Sequence, residues 1–186
     1  MRRRYRKLTR RRNPSPATGE DFNRTHLEIA EKMLCIVDKN CPEGSDYHNY
    51  RETYSGKPPW DKYSDLDLYV WNEPLKFSGG MAYNWLLANP NEKKRAVGIG
   101  TLWQRSDGDG YDTGTVVIRK DYRKRGLYTG VVGALREIIG TPIWSDQSRT
   151  AGAENVWKKY KKSGRAEYYR DQNRYRLANP RKRGRK

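Results

Sequence analysis

The chain has 186 residues, a length that suffices for one domain with a core. Its formal net charge is +17, and only 34% of its residues are apolar. No apolar run approaches the ~18 residues of a membrane-spanning helix, and no apolar stretch follows the N-terminal arginines, so neither a membrane anchor nor a secretory signal is expected. The two cysteines, Cys35 and Cys41, lack a metal-binding spacing. We therefore expect reduced thiols, no bound metal and a cytoplasmic location.

The positive charge is concentrated at the two ends of the chain. Residues 1–12 carry eight basic groups and residues 180–186 carry five, and neither segment contains an acid. Like charges at this density repel one another, so both ends are predicted to be disordered arms. Such arms are typical of contact with nucleic-acid phosphates, although a solubilising tail or a nuclear-import signal has the same composition. The residues predicted to contact nucleic acid are Arg2, Arg3, Arg4, Arg6, Arg10, Arg11, Arg12, Arg181, Lys182 and Arg183.

Three segments are expected along the chain: an arm and linker at 1–20, a folded domain at 21–179 and a basic tail at 180–186. The domain begins with a predicted helix at residues 21–38, where apolar side chains recur at helical spacing. Residues 47–65 are rich in tyrosine but have no pattern that assigns them to a helix or a strand.

From Leu66 onward the pattern changes to strands separated by turn residues. Strands are predicted at 66–71, 81–88, 96–104, 113–120 and 141–145, helices at 128–140 and 151–162, and a hairpin at 166–178. This order predicts an α+β domain in which helices flank a mixed, mostly antiparallel sheet.

The helix at 128–140 is amphipathic. Its spacing predicts that Val131, Leu135 and Ile138 face the core, and that Arg136 and Glu137 face solvent.

A basic, glycine-bearing turn separates the strand at 113–120 from this helix. The first N–H groups of a helix have no intrahelical partner and lie at the positive end of its dipole, so they form a natural anion site. Gly126 would allow the backbone to curl towards the anion, and Arg123 to Arg125 would add positive charge. Neither GxGxxG nor GxxxxGK is present.

At this point the sequence resembles a known family. The stretch "VVIRKDYRKRGLYTGVVGAL" is similar to motif A of the GNAT superfamily of N-acetyltransferases, a strand followed by the turn Arg/Gln-x-x-Gly-x-Gly/Ala and a helix. The turn falls on residues 123–128, with Tyr128 in place of the final small residue. Downstream, "SDQSRTAGAENVWKKYKKSG" resembles motif B, with Asn155 and Tyr160 at its Asn and Tyr positions. The resemblance covers residues 66–178 and suggests a phage-encoded member.

The resemblance implies a co-substrate and a site. Acetyl-coenzyme A would lie where two parallel strands, near Val117 and near Ile143, splay apart. The backbone of residues 117–119 would pair with the pantetheine arm, and the amides of residues 123–128 would hold the pyrophosphate. The cofactor-binding residues implied are Val117, Ile118, Arg119, Arg123, Lys124, Arg125, Gly126, Leu127, Tyr128 and Asn155.

Two catalytic positions are implied in the same way. The backbone N–H near Ile118 would polarise the thioester carbonyl, and Tyr160 would protonate the departing thiolate. Packing alone also accounts for Tyr160, because it shares a helical face with Val156 and Trp157. The general base stays open; the candidates are Asp112, Glu73, Asp146, His26 and His48.

Two functions follow from these observations. The first is transfer of an acetyl group from acetyl-coenzyme A to a primary amine on a protein, a small molecule or a modified nucleobase, with the arms holding the enzyme near nucleic acid. The alternative is a catalytically inactive protein with the same scaffold that coats nucleic acid, in a virion or on a host complex. Residues 13–78 hold twelve acids and seven bases; this excess either balances charge or lines a groove for a cationic amine.

Overall fold

The computed structural model describes residues 19–37, 53–54, 63, 65–75 and 80–177. The basic arm, the basic tail, Cys41 and His48 lie outside these residues, so the expectations for them remain predictions.

Three α-helices and eight strands are described. Their bounds are α1 Gly19–Val37, β1 Thr53–Tyr54, β2 Asp67–Pro74, β3 Met81–Ala88, β4 Ala96–Gln104, β5 Tyr111–Ile118, α2 Leu127–Ile139, β6 Ile143–Trp144, α3 Ala151–Lys162, β7 Ala166–Tyr169 and β8 Arg174–Leu177.

All described strands belong to one sheet, in the order β1-β2-β3-β4-β5-β6-β8-β7. Each neighbouring pair is antiparallel except β5 and β6, which are parallel because α2 crosses between them. The predicted α+β architecture, with a mixed and mostly antiparallel sheet flanked by helices, is therefore confirmed.

The strand that leads into the basic turn lies two residues earlier than predicted. It begins at Tyr111, whose N–H donates to the Pro142 carbonyl at 3.0 Å. It ends at Ile118, because residues Lys120–Tyr122 form a single 3-10 turn. The short strand predicted at 141–145 is limited to Ile143 and Trp144.

The sheet carries a core on each face. On one face, Ala30 and Leu34 of α1 pack with Leu86 and Ala96. The other face buries a larger cluster in which Leu68, Val70, Trp85, Leu87 and Leu102 of the sheet meet Val131 and Leu135 of α2 and Trp157 of α3.

The outward orientation predicted for Arg136 is wrong. Its side chain is only 5% exposed, whereas Glu137 is exposed as expected. Arg136 lies one turn after Val132, so its aliphatic stem continues the apolar stripe of α2. Burial lowers the pKa of its guanidinium.

Among the described helices, none combines the length and the apolar character that crossing a bilayer would require.

Tyr63 fixes the start of α2 through a close contact with a glycine. Its hydroxyl donates to the Gly126 carbonyl at 3.0 Å, and a Cβ added at Gly130 would lie 2.5 Å from its ring. We expect Gly130→Ala to lower the free energy of unfolding by about 1–3 kcal/mol through this overlap, as measured by urea denaturation.

Gly133→Ala in the same helix is the matched control. Its Cβ would meet only the Tyr160 hydroxyl, at an ordinary 3.7 Å, so higher helix propensity should raise stability by up to about 1 kcal/mol. Equal effects of the two substitutions would contradict the proposed Tyr63 contact.

Candidate functional site

A cleft of about 650 Å³ lies between β5, the turn that follows it and the first turns of α2 and α3. Its walls include Val116 and Ile118 from β5, Thr129 from α2, and Asn155 and Lys159 from α3. The volume is within the range of sites for small molecules and cofactors.

The cleft is open because the parallel strands separate almost at once. Strands β5 and β6 pair only through Tyr111 with Ile143 and Asp112 with Trp144. The next N–H on the β6 side, that of Asp146, donates to the Thr113 hydroxyl at 3.0 Å instead of to a backbone carbonyl. Beyond Thr113, therefore, the described pairing of β5 continues only with β4.

The free edge of β5 presents backbone groups to this opening. The Arg119 N–H donates to the carbonyl of Val97 in β4 at 2.8 Å. Because hydrogen-bonding direction alternates along a strand, the N–H groups of Val116 and Ile118 point away from β4 and towards the cleft. In agreement, the Ile118 carbonyl accepts a hydrogen bond from the Arg123 side chain at 2.9 Å.

The turn between β5 and α2 ends in an uncapped helix terminus. Lys124 and Gly126 have φ values of 64° and 81°, in the left-handed region. Gly126 occupies the N-cap position without a capping side chain, and the first turn of α2 contains no acid. The N–H groups that begin α2 are therefore available to an anion, at the positive end of the helix dipole.

Arg119 braces this turn from outside the cleft. Its guanidinium donates to the Glu92 carboxylate, to the Lys94 carbonyl at 2.6 Å and to Asp121 at 3.0 Å. Glu92 also accepts a hydrogen bond from the hydroxyl of Tyr122, which lines the cleft. The Tyr122 hydroxyl and then Arg119 hold the pKa of the Glu92 carboxyl below its ordinary value.

Arg125 provides a second brace. It pairs with Asp65 at 2.8 Å, and its guanidinium lies 5.0 Å from the centre of the Tyr122 ring. The Arg125 guanidinium therefore stabilises the turn.

Seven of the predicted cofactor-binding residues line the cleft: Ile118, Arg123, Lys124, Gly126, Leu127, Tyr128 and Asn155. Three others do not. Val117 is buried, and Arg119 and Arg125 are the braces described above.

Tyr160, predicted as the catalytic acid, does not line the cleft. Its side chain is only 4% exposed and its ring lies 5.9 Å from that of Trp157. Its hydroxyl donates to the Thr129 carbonyl, and burial raises its pKa. Tyr160 is thus a ring of the core between α2 and α3, and its role as the catalytic acid stays a prediction.

Tyr128, like Tyr122, lines the cleft. Burial raises its pKa to about 12, with a smaller, opposing effect from its hydrogen bond with Thr113. Its phenol is therefore protonated at neutral pH.

None of the described candidate bases lines the cleft. Asp112 pairs with Arg105 at 3.1 Å and with Arg174. Glu73 accepts a hydrogen bond from Asn84 at 3.0 Å, while Asp146 is exposed and accepts the Ser148 N–H. His26 lies on α1, with Nδ1 2.8 Å from the Phe22 carbonyl oxygen.

Several lining residues were not predicted. Lys159 follows Asn155 by one helical turn, so helical spacing could have identified it. Thr150 caps α3 by accepting the Ala153 N–H at 3.3 Å, which is a recognisable sequence signal. Asn23 reaches the cleft from α1, and no local pattern marks that contact.

The chain matches no known protein-family model and has no significant match among curated proteins.

Proposed function

We propose that the protein transfers an acetyl group from acetyl-coenzyme A to a primary amine, and that the cleft binds the co-substrate. The observation that carries this proposal is the uncapped start of α2, which opens into the cleft beside the free edge of β5. Helix N–H groups with Arg123 and Lys124 suit a pyrophosphate. A free strand edge suits the amides of a pantetheine arm. Membership of the GNAT superfamily is part of the same proposal.

The reaction requires modest chemistry from the chain. The amine nitrogen attacks the acetyl carbonyl carbon, a C–N bond forms and the C–S bond breaks. The outward N–H of Ile118 is suited to stabilise the oxyanion. Of the two protons that an ammonium group gives up, one goes to the thiolate and the other is released. Tyr128, protonated and in the cleft, replaces Tyr160 as the proposed donor to the thiolate.

Gly126→Asp tests where the pyrophosphate binds. The new carboxylate would stand at the uncapped helix terminus and repel the phosphates, which should weaken acetyl-coenzyme A binding by more than about 100-fold. Isothermal titration of the full-length protein measures this change, with micromolar affinity expected for the unaltered chain.

Gly140→Asp is the matched control, because it adds the same charge at the other end of α2. Gly140 has a similar φ of 74° and open space around the added Cβ, so affinity should change by less than about threefold. Equal loss in both variants, or no binding by the unaltered chain, would refute the cleft as the acetyl-coenzyme A site.

Tyr128→Phe should lower kcat by about 100-fold, the usual effect of losing a general acid, with acetyl-coenzyme A affinity within about threefold of the unaltered protein. Tyr160→Phe should instead lower thermal stability, because the Tyr160 hydroxyl donates a hydrogen bond to the Thr129 carbonyl. It should leave kcat within about threefold of the unaltered protein. Steady-state kinetics and thermal melting separate the two. The reverse pattern would restore Tyr160 as the acid.

A second candidate is a nucleic-acid-binding protein on the same scaffold without turnover. The exposed face of α3 favours it, because Lys161 and Lys162 are exposed there, as is Lys158 beside Glu154, and these lysines would extend the charge of the basic arms. On either proposal the arms contact phosphates, and the proposed setting is a cytoplasm, that of the host if the chain is phage-encoded, or a virion.

Deleting residues 1–12 tests this nucleic-acid contact. Removal of eight basic groups should reduce the slope of log affinity against log salt concentration by several units, because fewer counterions are released. The measurement is fluorescence anisotropy with a short DNA duplex, at salt concentrations from about 50 to about 300 mM. An unchanged slope would exclude phosphate contacts by the arm.

A further inference from the structure

A row of polar side chains crosses β2, β3 and β4 on the sheet face that also packs against α1. We call Glu73, Asn84 and Thr101 the polar row. The Asn84 Nδ2 donates to the Glu73 carboxylate at 3.0 Å, and the Thr101 hydroxyl donates to Asn84 Oδ1 at 3.0 Å. All three side chains are half-buried. A carboxylate only accepts hydrogen bonds, so Glu73 fixes the orientation of the Asn84 amide.

These two hydrogen bonds leave only hydrogen-bond acceptors at the two ends of the polar row. The single proton of the Thr101 hydroxyl is given to Asn84, so its lone pairs can only accept. Glu73 uses one carboxylate oxygen for Asn84, and no lysine or arginine of the described residues pairs with it. The ligand that complements such a row is a hydrogen-bond donor with positive charge.

Two tryptophans belong to the same face. In the strand register Trp71 lies opposite Asn84, and Trp103 lies opposite Ala82. Trp103 is 42% exposed, unusually high for so large an apolar ring. Indole faces attract ammonium groups, so both rings suit the same cationic ligand. The nearest acid on the next strand, Asp112, is already paired with Arg105 and Arg174.

The polar row ends one strand away from β5, on the sheet face opposite to the cleft. Gly100 pairs with Val116 and Leu102 with Thr113, so β5 has a bulge at Gly114 and Thr115, opposite Thr101. The next residue, Val116, lines the cleft. Adjacent strands are about 4.8 Å apart, and β5 has left β6 at this level. A group bound at Thr101 is thus one strand from the free edge of β5.

From this juxtaposition we infer that the polar row is the acceptor site and that it binds a protonated primary amine on a flexible chain, such as a lysine side chain. The acetyl transfer that would follow binding rests on the proposed function. The binding of the amine does not depend on it. Glu73 supplies the charge that selects an ammonium group, Thr101 accepts one of its N–H groups nearest to β5, and Trp71 and Trp103 cover the alkyl chain. Glu73 is accordingly a recognition residue.

The test uses the full-length protein and the probe Nα-acetyl-lysine methylamide, with the norleucine analogue as the uncharged comparison. Titration followed by tryptophan fluorescence should show saturable binding of the lysine probe only. Glu73→Gln keeps an acceptor for Asn84 but removes the charge, and should weaken binding about tenfold. Thr101→Val should weaken it about fivefold, and Thr101→Ser should restore it. Glu167→Gln removes a carboxylate that instead accepts the Tyr169 hydroxyl, and should change nothing.

Acetyl-coenzyme A titrations separate the two proposals. If Glu73→Gln weakens the lysine probe and leaves acetyl-coenzyme A affinity unchanged, the polar row is the amine site; in assays of turnover, KM for the amine should rise about tenfold while kcat stays within about twofold. If the unaltered protein binds the lysine probe through Glu73 but binds no acetyl-coenzyme A, the proposed reaction fails and the amine site stands. Equal binding of lysine and norleucine probes, or identical effects of Glu73→Gln and Glu167→Gln, would overturn the inference.

Discussion

The early separation of β5 from β6 is the constraint on which the rest of the site depends. Ser145, which follows β6, is drawn towards β8: its N–H donates to the Tyr175 carbonyl at 2.8 Å, and its hydroxyl accepts the Tyr175 N–H at 2.9 Å. Arg149 holds the same segment by donating to the Ser145 hydroxyl at 3.1 Å and to the Asn173 carbonyl at 2.7 Å. With β5 retained by β4 and the chain after β6 retained by β8, the gap between them is part of the folded sheet and requires no ligand to open it.

The basic turn beside this gap divides its charges between two tasks. Arg119 and Arg125 are matched by Glu92, Asp121 and Asp65, and together these pairs set the path of the backbone around Tyr122. Arg123 and Lys124 line the cleft and contribute its positive charge. The turn carries five cationic side chains, and these would repel one another if all of them lay on the cleft side. Because Arg119 and Arg125 are paired with acids, Arg123 and Lys124 can face the cleft with less repulsion from their neighbours.

The sheet has different chemistry on its two sides at the level of the gap. The cleft side combines an uncapped helix end, cations and a protonated phenol, which suit an anionic thioester substrate. The opposite side presents a carboxylate, a fixed hydroxyl and two indoles, which suit a cation. The bulge in β5 lies between them. Because unlike charges are held on opposite faces of one sheet, two oppositely charged substrates would bind without competing for the same groups.

Local sequence pattern determined most of the elements: β3, β4 and α3 occupy the predicted residues, and the basic turn with Gly126 lies at the start of a helix beside a cleft. Apolar periodicity and turn residues depend on a few neighbouring positions, so they can be recognised in the sequence. Seven predicted residues line the cleft, but only the tertiary structure separated them from the side chains that brace the turn or pack in the core. It buried Arg136, turned Arg125 towards Asp65, placed Tyr160 in the core and brought Asn23 to the cleft. The direction of each of these side chains depends on strand register and on partners far away in the sequence, 60 positions in the case of Arg125 and Asp65. Neither is encoded in a local pattern.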